Sequence, residues 1–113
     1  MKIVDKISIT ELSQMAKKMY GNLVKADVDV SKQIVIVDMP MHYDGEAELL
    51  ERGSKQKDIW GINLHPDKYG SEDFIEFESM INIRPSQKNF NRGVDDINIR
   101  RKIIELVQEV VHE

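Results

Sequence analysis

The stretch Val24-Lys25-Ala26-Asp27-Val28-Asp29-Val30 alternates apolar and polar residues without a break. A period of two is the signature of a strand that lays one face on a core. After a turn at Ser31-Lys32 comes Ile34-Val35-Ile36-Val37, apolar without alternation and β-branched throughout. That is the pattern of a short strand covered on both faces. A sheet covered in this way needs helices packed against it, so the chain must mix the two kinds of element.

The helices are marked by their ends. Ser8-Ile9-Thr10-Glu11 reads as a capping box, Leu12, Met15, Ala16 and Met19 follow at helical spacing, and Gly21 supplies a left-handed stop. These signals predict a helix over about 9–20. Asp44 is positioned to cap a second helix through Glu46, Ala47, Leu49, Leu50 and Arg52, stopped by Gly53, although Gly45 sits oddly near its start. Asp95 or Asp96 caps the last helix, in which Ile99, Ile103, Leu106, Val107 and Val110 form one apolar stripe.

Between the second and third helices, Ile59-Trp60-Gly61-Ile62-Asn63-Leu64 reads as a strand with Trp60, Ile62 and Leu64 on one face. A turn over 67–73, with Gly70, leads into a long predicted strand from Phe74 to Arg84. Its alternation puts Ile75, Phe77, Ser79, Ile81 and Ile83 inward, with Glu76, Glu78, Met80, Asn82 and Arg84 on the opposite face, until Pro85 stops it. The expectation is a single α+β domain over 1–113. It has a mainly antiparallel sheet of four or five strands packed against helices, in the order helix-strand-strand-helix-strand-strand-helix. Lys2 to Val4 is an optional short strand before them.

Composition narrows the function classes. With 41% hydrophobic and 32% charged residues, the chain has enough apolar side chains to fold on its own. The absence of cysteine excludes disulfides, thiolate zinc sites and cysteine nucleophiles, and fits a reducing compartment. Residues 1–7 break every few positions with a charge, giving no apolar signal-peptide core, and no later run reaches membrane-spanning length. A cytoplasmic protein is expected. The net charge of −4 offers no global attraction to nucleic acid or anionic membranes.

Three strings, Trp60-Gly61-Ile62-Asn63-Leu64 with Pro66 beyond it, Ser79-Met80-Ile81-Asn82-Ile83-Arg84-Pro85, and Asn89 through Val94, resemble a family of small prokaryotic proteins known only as a domain of unknown function. The resemblance covers most of the chain. It implies a shared fold and a use of the Asn82, Arg84 and Arg92 region, and brings no activity with it.

The residues themselves point to the same region. Asn82 and Arg84, followed by Asn89 and Arg92 and then a helix N-terminus, could cradle an anion, since Arg offers a planar fork, Asn an amide and the helix its free N–H groups. Against this, Asp95 and Asp96 place negative charge at the same mouth. Arg84 could instead pair with Glu76, Glu78 or Asp95 while the Asn side chains hold the loop backbone. Asp27, Asp29, Asn63, Glu76 and Glu78 are expected to share a polar sheet face, more in keeping with a solvated row than with a metal or acid–base site. His42, His65 and His112 lie far apart in sequence, Ser79 lacks a nucleophile elbow, and no glycine-rich phosphate loop occurs. No metal and no cofactor is called for. A lone Trp60 in an apolar strand reads as core rather than as a ligand-stacking ring.

The best expectation is a small non-catalytic binding module, acting on a partner protein or a small anionic ligand through the 82–94 strand-loop region. One alternative is an enzyme that uses the same Arg/Asn region to bind an anion. The other is an RNA-binding protein, with Lys88, Arg92, Arg100, Arg101 and Lys102 as the basic cluster and Phe90 as a stacking ring. Asp95 and Asp96 inside that cluster weigh against nucleic acid. A homodimer through a sheet edge, or through Ile104 and Val111 beside the main stripe of the last helix, is a further option.

Overall fold

The computed structural model describes residues 1–113. In chain order it has β1 (Lys2–Val4), β2 (Ile7–Ser8), α1 (Ile9–Met19), β3 (Val24–Asp29), β4 (Ile34–Val37) and α2 (His42–Glu51). There follow β5 (Ile59–Leu64), β6 (Ile75–Glu76), α3 (Ile97–Val110) and β7 (Val111–His112). Strands β1-β4-β3-β5-β6 make one five-stranded sheet, antiparallel at every pairing. The chain is thus α+β, with three helices on a mainly antiparallel sheet. A second, unexpected sheet pairs β2 with β7 in parallel and ties the C-terminal end of α3 to the start of α1. No helix is long and apolar enough to cross a membrane.

The two faces of the sheet are covered differently. Val24, Ala26 and Val28 of β3 join Trp60, Ile62 and Leu64 of β5 in the main core, with Leu12 and Ala16 of α1 and Ile103, Leu106, Val107 and Val110 of α3. A smaller core of Ile36, Met39, Leu49 and Ile59 lies on the α2 side. Strand β4 feeds both, Val35 and Val37 to the first and Ile36 to the second, as an apolar run without alternation requires.

Local signals explain the helix ends. The Ser8 hydroxyl accepts from the Glu11 amide at 3.1 Å, while the Glu11 carboxylate turns to Lys2 instead of closing the box. Asp96, not Asp95, caps α3 by accepting from the amides of Asn98 and Ile99. Helix α2 starts two residues before the expected Asp44, whose carboxylate accepts from the Met41 amide from inside the first turn. Gly45 is there for space, because a Cβ would overlap Asp27 Oδ2 and stand 2.6 Å from Met39 Sδ.

Two expectations are corrected. Asp27 and Asp29 do not sit on a solvated row, since α2 packs over that face of β3 and both are fully buried. Asp29 is satisfied there: its carboxylate accepts from the Ser31 and Lys32 amides at 2.9 Å each and from the Ser54 hydroxyl at 2.6 Å. The long strand from Phe74 to Arg84 is likewise not formed. Its ladder ends at Glu76, and Ser79 starts a 3-10 turn over Met80–Asn82 by accepting the Ile81 amide on its hydroxyl.

Candidate functional site

The end of that ladder defines the site. Where a longer β6 would have met Gly61, the primary amide of Asn82 does so in its place. Its Oδ1 accepts from the Gly61 N–H at 2.8 Å, and its Nδ2 donates to the Gly61 carbonyl at 2.9 Å and to the Arg92 carbonyl at 3.0 Å. An Asn side chain carries the same donor and acceptor as a peptide group, so it continues the sheet edge without a strand. Gly61 leaves room for this, because a Cβ there would stand 2.6 Å from the Ser79 hydroxyl and 3.1 Å from the His42 ring.

Asn89 performs the second half of the fastening. Its Nδ2 donates to the carbonyls of Asn82 at 2.7 Å and Gly93 at 2.8 Å, and its Oδ1 accepts from the Asp95 amide at 2.9 Å. The backbones of Arg84 and Asn89 also pair as an isolated antiparallel bridge. Asn82 and Asn89 are both buried, and each buried polar atom that they carry is used.

Arg84 is buried as well, and it bonds carbonyls instead of pairing with a carboxylate. Nη1 donates to the Gln56 carbonyl at 2.6 Å and to Gln87 Oε1 at 3.0 Å, while Nη2 donates to the carbonyls of Ile59 and Ile81. The guanidinium carbon lies 4.3 Å from the centre of the Trp60 ring, a cation–π contact. Burial holds its pKa below the usual arginine value, opposed by the nearby carboxylates of Glu46 and Asp58. Arg92 is the exposed member of the four, with Nε paired to Glu78 Oε1 and its carbonyl accepting from the Ser79 amide and Asn82. The four predicted residues are therefore brought together. Three of them point into the protein and spend their donors on its backbone.

On the outward side of the same loop, Ile83 is the residue that runs against expectation. Residues flanking a bridged pair point the opposite way from it. With Arg84 and Asn89 facing in, Ile83 and Phe90 both face out, at 40% and 69% exposure, and Met80 at the turn is 67% exposed. The 3-10 turn at Met80–Asn82 slips the register, so that Asn82 and Arg84, expected on the face opposite the core, turn in and Ile83, expected inward, turns out, while Met80 keeps its expected side.

A second polar cluster lies beneath α2 and was also missed. Asp27 has no hydrogen-bonded oxygen and Glu46 Oε2 none either, although both are buried. Burial first, and then the charge of Glu46, raises the Asp27 pKa well above the ordinary range, so its carboxyl is protonated more readily than a free one. His42 Nε2 meets the Ile62 carbonyl at 2.8 Å, and burial lowers its pKa, which favours the neutral ring with Nε2–H donating. At the rim, Asn63 and His65 both bond Glu76 Oε1 at 3.0 Å, and the Asn63 bond leads in holding the Glu76 pKa low. Nowhere do three or more His, Cys, Asp or Glu side chains converge in a way that could hold a metal.

The family described as "Protein of unknown function (DUF5674)" matches residues 1–110. No curated protein and no solved structure matches the chain.

Proposed function

The chain belongs to this family of unknown function, and we propose that it is a small binding module whose 80–90 loop docks a partner protein through Met80, Ile83 and Phe90. One observation carries this: at the Arg84–Asn89 bridge the polar residues face in and the apolar ones face out. Folding alone favours the reverse arrangement. Twelve hydrogen-bonding contacts of the Asn82, Arg84 and Asn89 side chains with surrounding carbonyls, amides and one side chain already hold the loop in place. A preformed surface of this kind loses little entropy on binding, and exposed Met and Phe are the residues that protein interfaces favour.

The same geometry speaks for a protein over an anion. The guanidinium of Arg84 is occupied and sealed against Trp60, and Arg92 is already neutralised by Glu78. Of the basic cluster considered for RNA, Arg100 lies over the Phe77 ring with its carbon 4.3 Å from the centre, and Asp95 and Asp96 flank the rest. A chain without cysteine suits a reducing compartment, which supports a cytoplasmic partner.

The test is the double variant Ile83→Ser/Phe90→Ser. Both side chains are exposed, so the melting temperature should stay within about 2 °C of wild type. A partner that co-purifies stoichiometrically with the wild type from its native cells should be lost. Retention of the same partner by a folded double variant would overturn the proposal.

A further inference from the structure

Away from the 80–90 loop, the segment from Tyr69 to Phe77 and helix α3 enclose a cleft of about 520 Å³. Its walls are mostly hydrophobic, with Tyr69, Phe74 and Phe77 on one side and Ile104, Val107 and Val111 on the other. Ile104 lies on α3 beside its main stripe, whereas Val111 follows the helix as the first residue of β7. A second hollow of about 560 Å³ shares Glu72, Ile75, Phe77 and Ile104 with the first, and its lining is mainly polar. The two adjoin across these four residues, an apolar and a polar hollow each of a size that suits a small molecule better than a helix or a strand.

The charges of the polar half favour one kind of head group. It carries Glu72, Asp73 and Glu76 against Lys68 and Arg100. Arg100 is committed to the Phe77 ring, with a further bond from Nη1 to the Val94 carbonyl at 3.3 Å. Glu76 is engaged by Asn63 and His65, whereas Glu72, Asp73 and Lys68 stand in no ion pair, which leaves the unpaired carboxylates in excess over the one unpaired ammonium. The Tyr69 and Phe74 rings meet edge to face, centroids 5.2 Å apart and planes at 85°, and aromatic rings beside carboxylates are the surroundings that ammonium groups prefer. The net charge of −4 acts in the same direction at longer range.

We infer that this cleft binds a small amphipathic amine, with its apolar body between Phe74 and Val107 and its ammonium group facing Glu72 and Asp73. The site is separate from the 80–90 loop and stands or falls independently of it. The experiment is an NMR amide titration of the full chain with octylamine, octanoate and 1-octanol, each to millimolar concentration. Octylamine should shift the amides of residues 69–77 and 104–111 and saturate, with octanol weaker and octanoate weakest. The exposed pair Glu72→Gln/Asp73→Asn should weaken octylamine about fivefold, the size of one modest charge pair, and leave octanol unchanged. Octanoate binding as tightly as octylamine, no shift with any probe, or a dimer by sedimentation whose interface is this face would each overturn the inference.

Discussion

If the amide of Asn82 is what joins the loop to the sheet, Asn82→Ala should be among the most damaging substitutions in the chain. The variant removes three hydrogen bonds, but they are not equivalent. The Arg92 carbonyl keeps the Ser79 amide as a donor at 2.9 Å, so it is not orphaned. Gly61 is buried, and both its N–H and its carbonyl lose their partner. Each unsatisfied buried group costs about 1–3 kcal/mol, which puts the expected loss at about 4 kcal/mol. Set against a total of about 5–15 kcal/mol for a domain of this kind, the loss is a large fraction. In urea, with a slope of about 1.5 kcal/mol/M, the midpoint should fall by roughly 2–3 M. Asn91→Ala is the control. Asn91 also bonds the loop, to Gly93 and Asp95, but it is exposed, and its removal should cost under about 1 kcal/mol. Asn82→Asp separates the donor from the acceptor: its carboxylate still accepts from Gly61 N–H but repels two carbonyls at pH 7. A loss below about 1 kcal/mol for Asn82→Ala, or equal losses for Asn82 and Asn91, would refute the account of how the loop is held.

Two other sites give predictions of known sign. Asp27 has a raised pKa in the folded state, so the stability tied to its protonated form is fully present below the unfolded carboxylate value of about 3.9 and is lost as pH rises through the folded value. Asp27→Asn should therefore be more stable than wild type at pH 7, with the advantage growing from about pH 4 upward. A difference that is independent of pH, measured by chemical denaturation at a series of pH values, would contradict the burial of that charge. Gly61→Ala places a Cβ 2.6 Å from Ser79, and such overpacking should cost about 1–3 kcal/mol by thermal melting. An unchanged melt would mean that β5 and the Ser79 turn are not in contact at Gly61.

Much of the scaffold was legible because its signals are local. The Ser8 cap, the alternation of β3, the doubly covered β4 and the stripe of α3 each depend on residues a few positions apart, and the structure bears them out. The polar half of the fold was harder to read. Alternation in β3 marks Asp27 and Asp29 as water-facing, yet a helix covers them, with Ser54 and turn amides satisfying Asp29 and burial raising the pKa of the unpartnered Asp27. A hint lay in Gly45, a small residue in a helix that must pass close to something.

The candidate residues were found for one reason and serve another. Asn82, Arg84, Asn89 and Arg92 lie together in the fold, and of the readings weighed for them the one in which Asn side chains hold the loop backbone matches the Asn bonds, while the Arg84–carboxylate pair that went with it is not formed. Their partners lie well away in sequence: Asn82 meets Gly61 across 21 residues and Arg84 meets Ile59 across 25. No spacing rule predicts such pairings. The slip at Met80–Asn82 then exchanged inside and outside over Asn82–Arg84, so that Ile83, expected inward, faces out.

That exchange of faces is also where the central claim is most exposed to test. A photoreactive phenylalanine analogue placed at position 90 of the full chain, with the same group at the exposed Lys32 as a control, reports directly on what touches the outward face in the native cell. The account predicts one dominant cross-linked protein from position 90, abolished by Ile83→Ser and absent from position 32. Identical cross-linking patterns from both positions, or none from position 90, would contradict it.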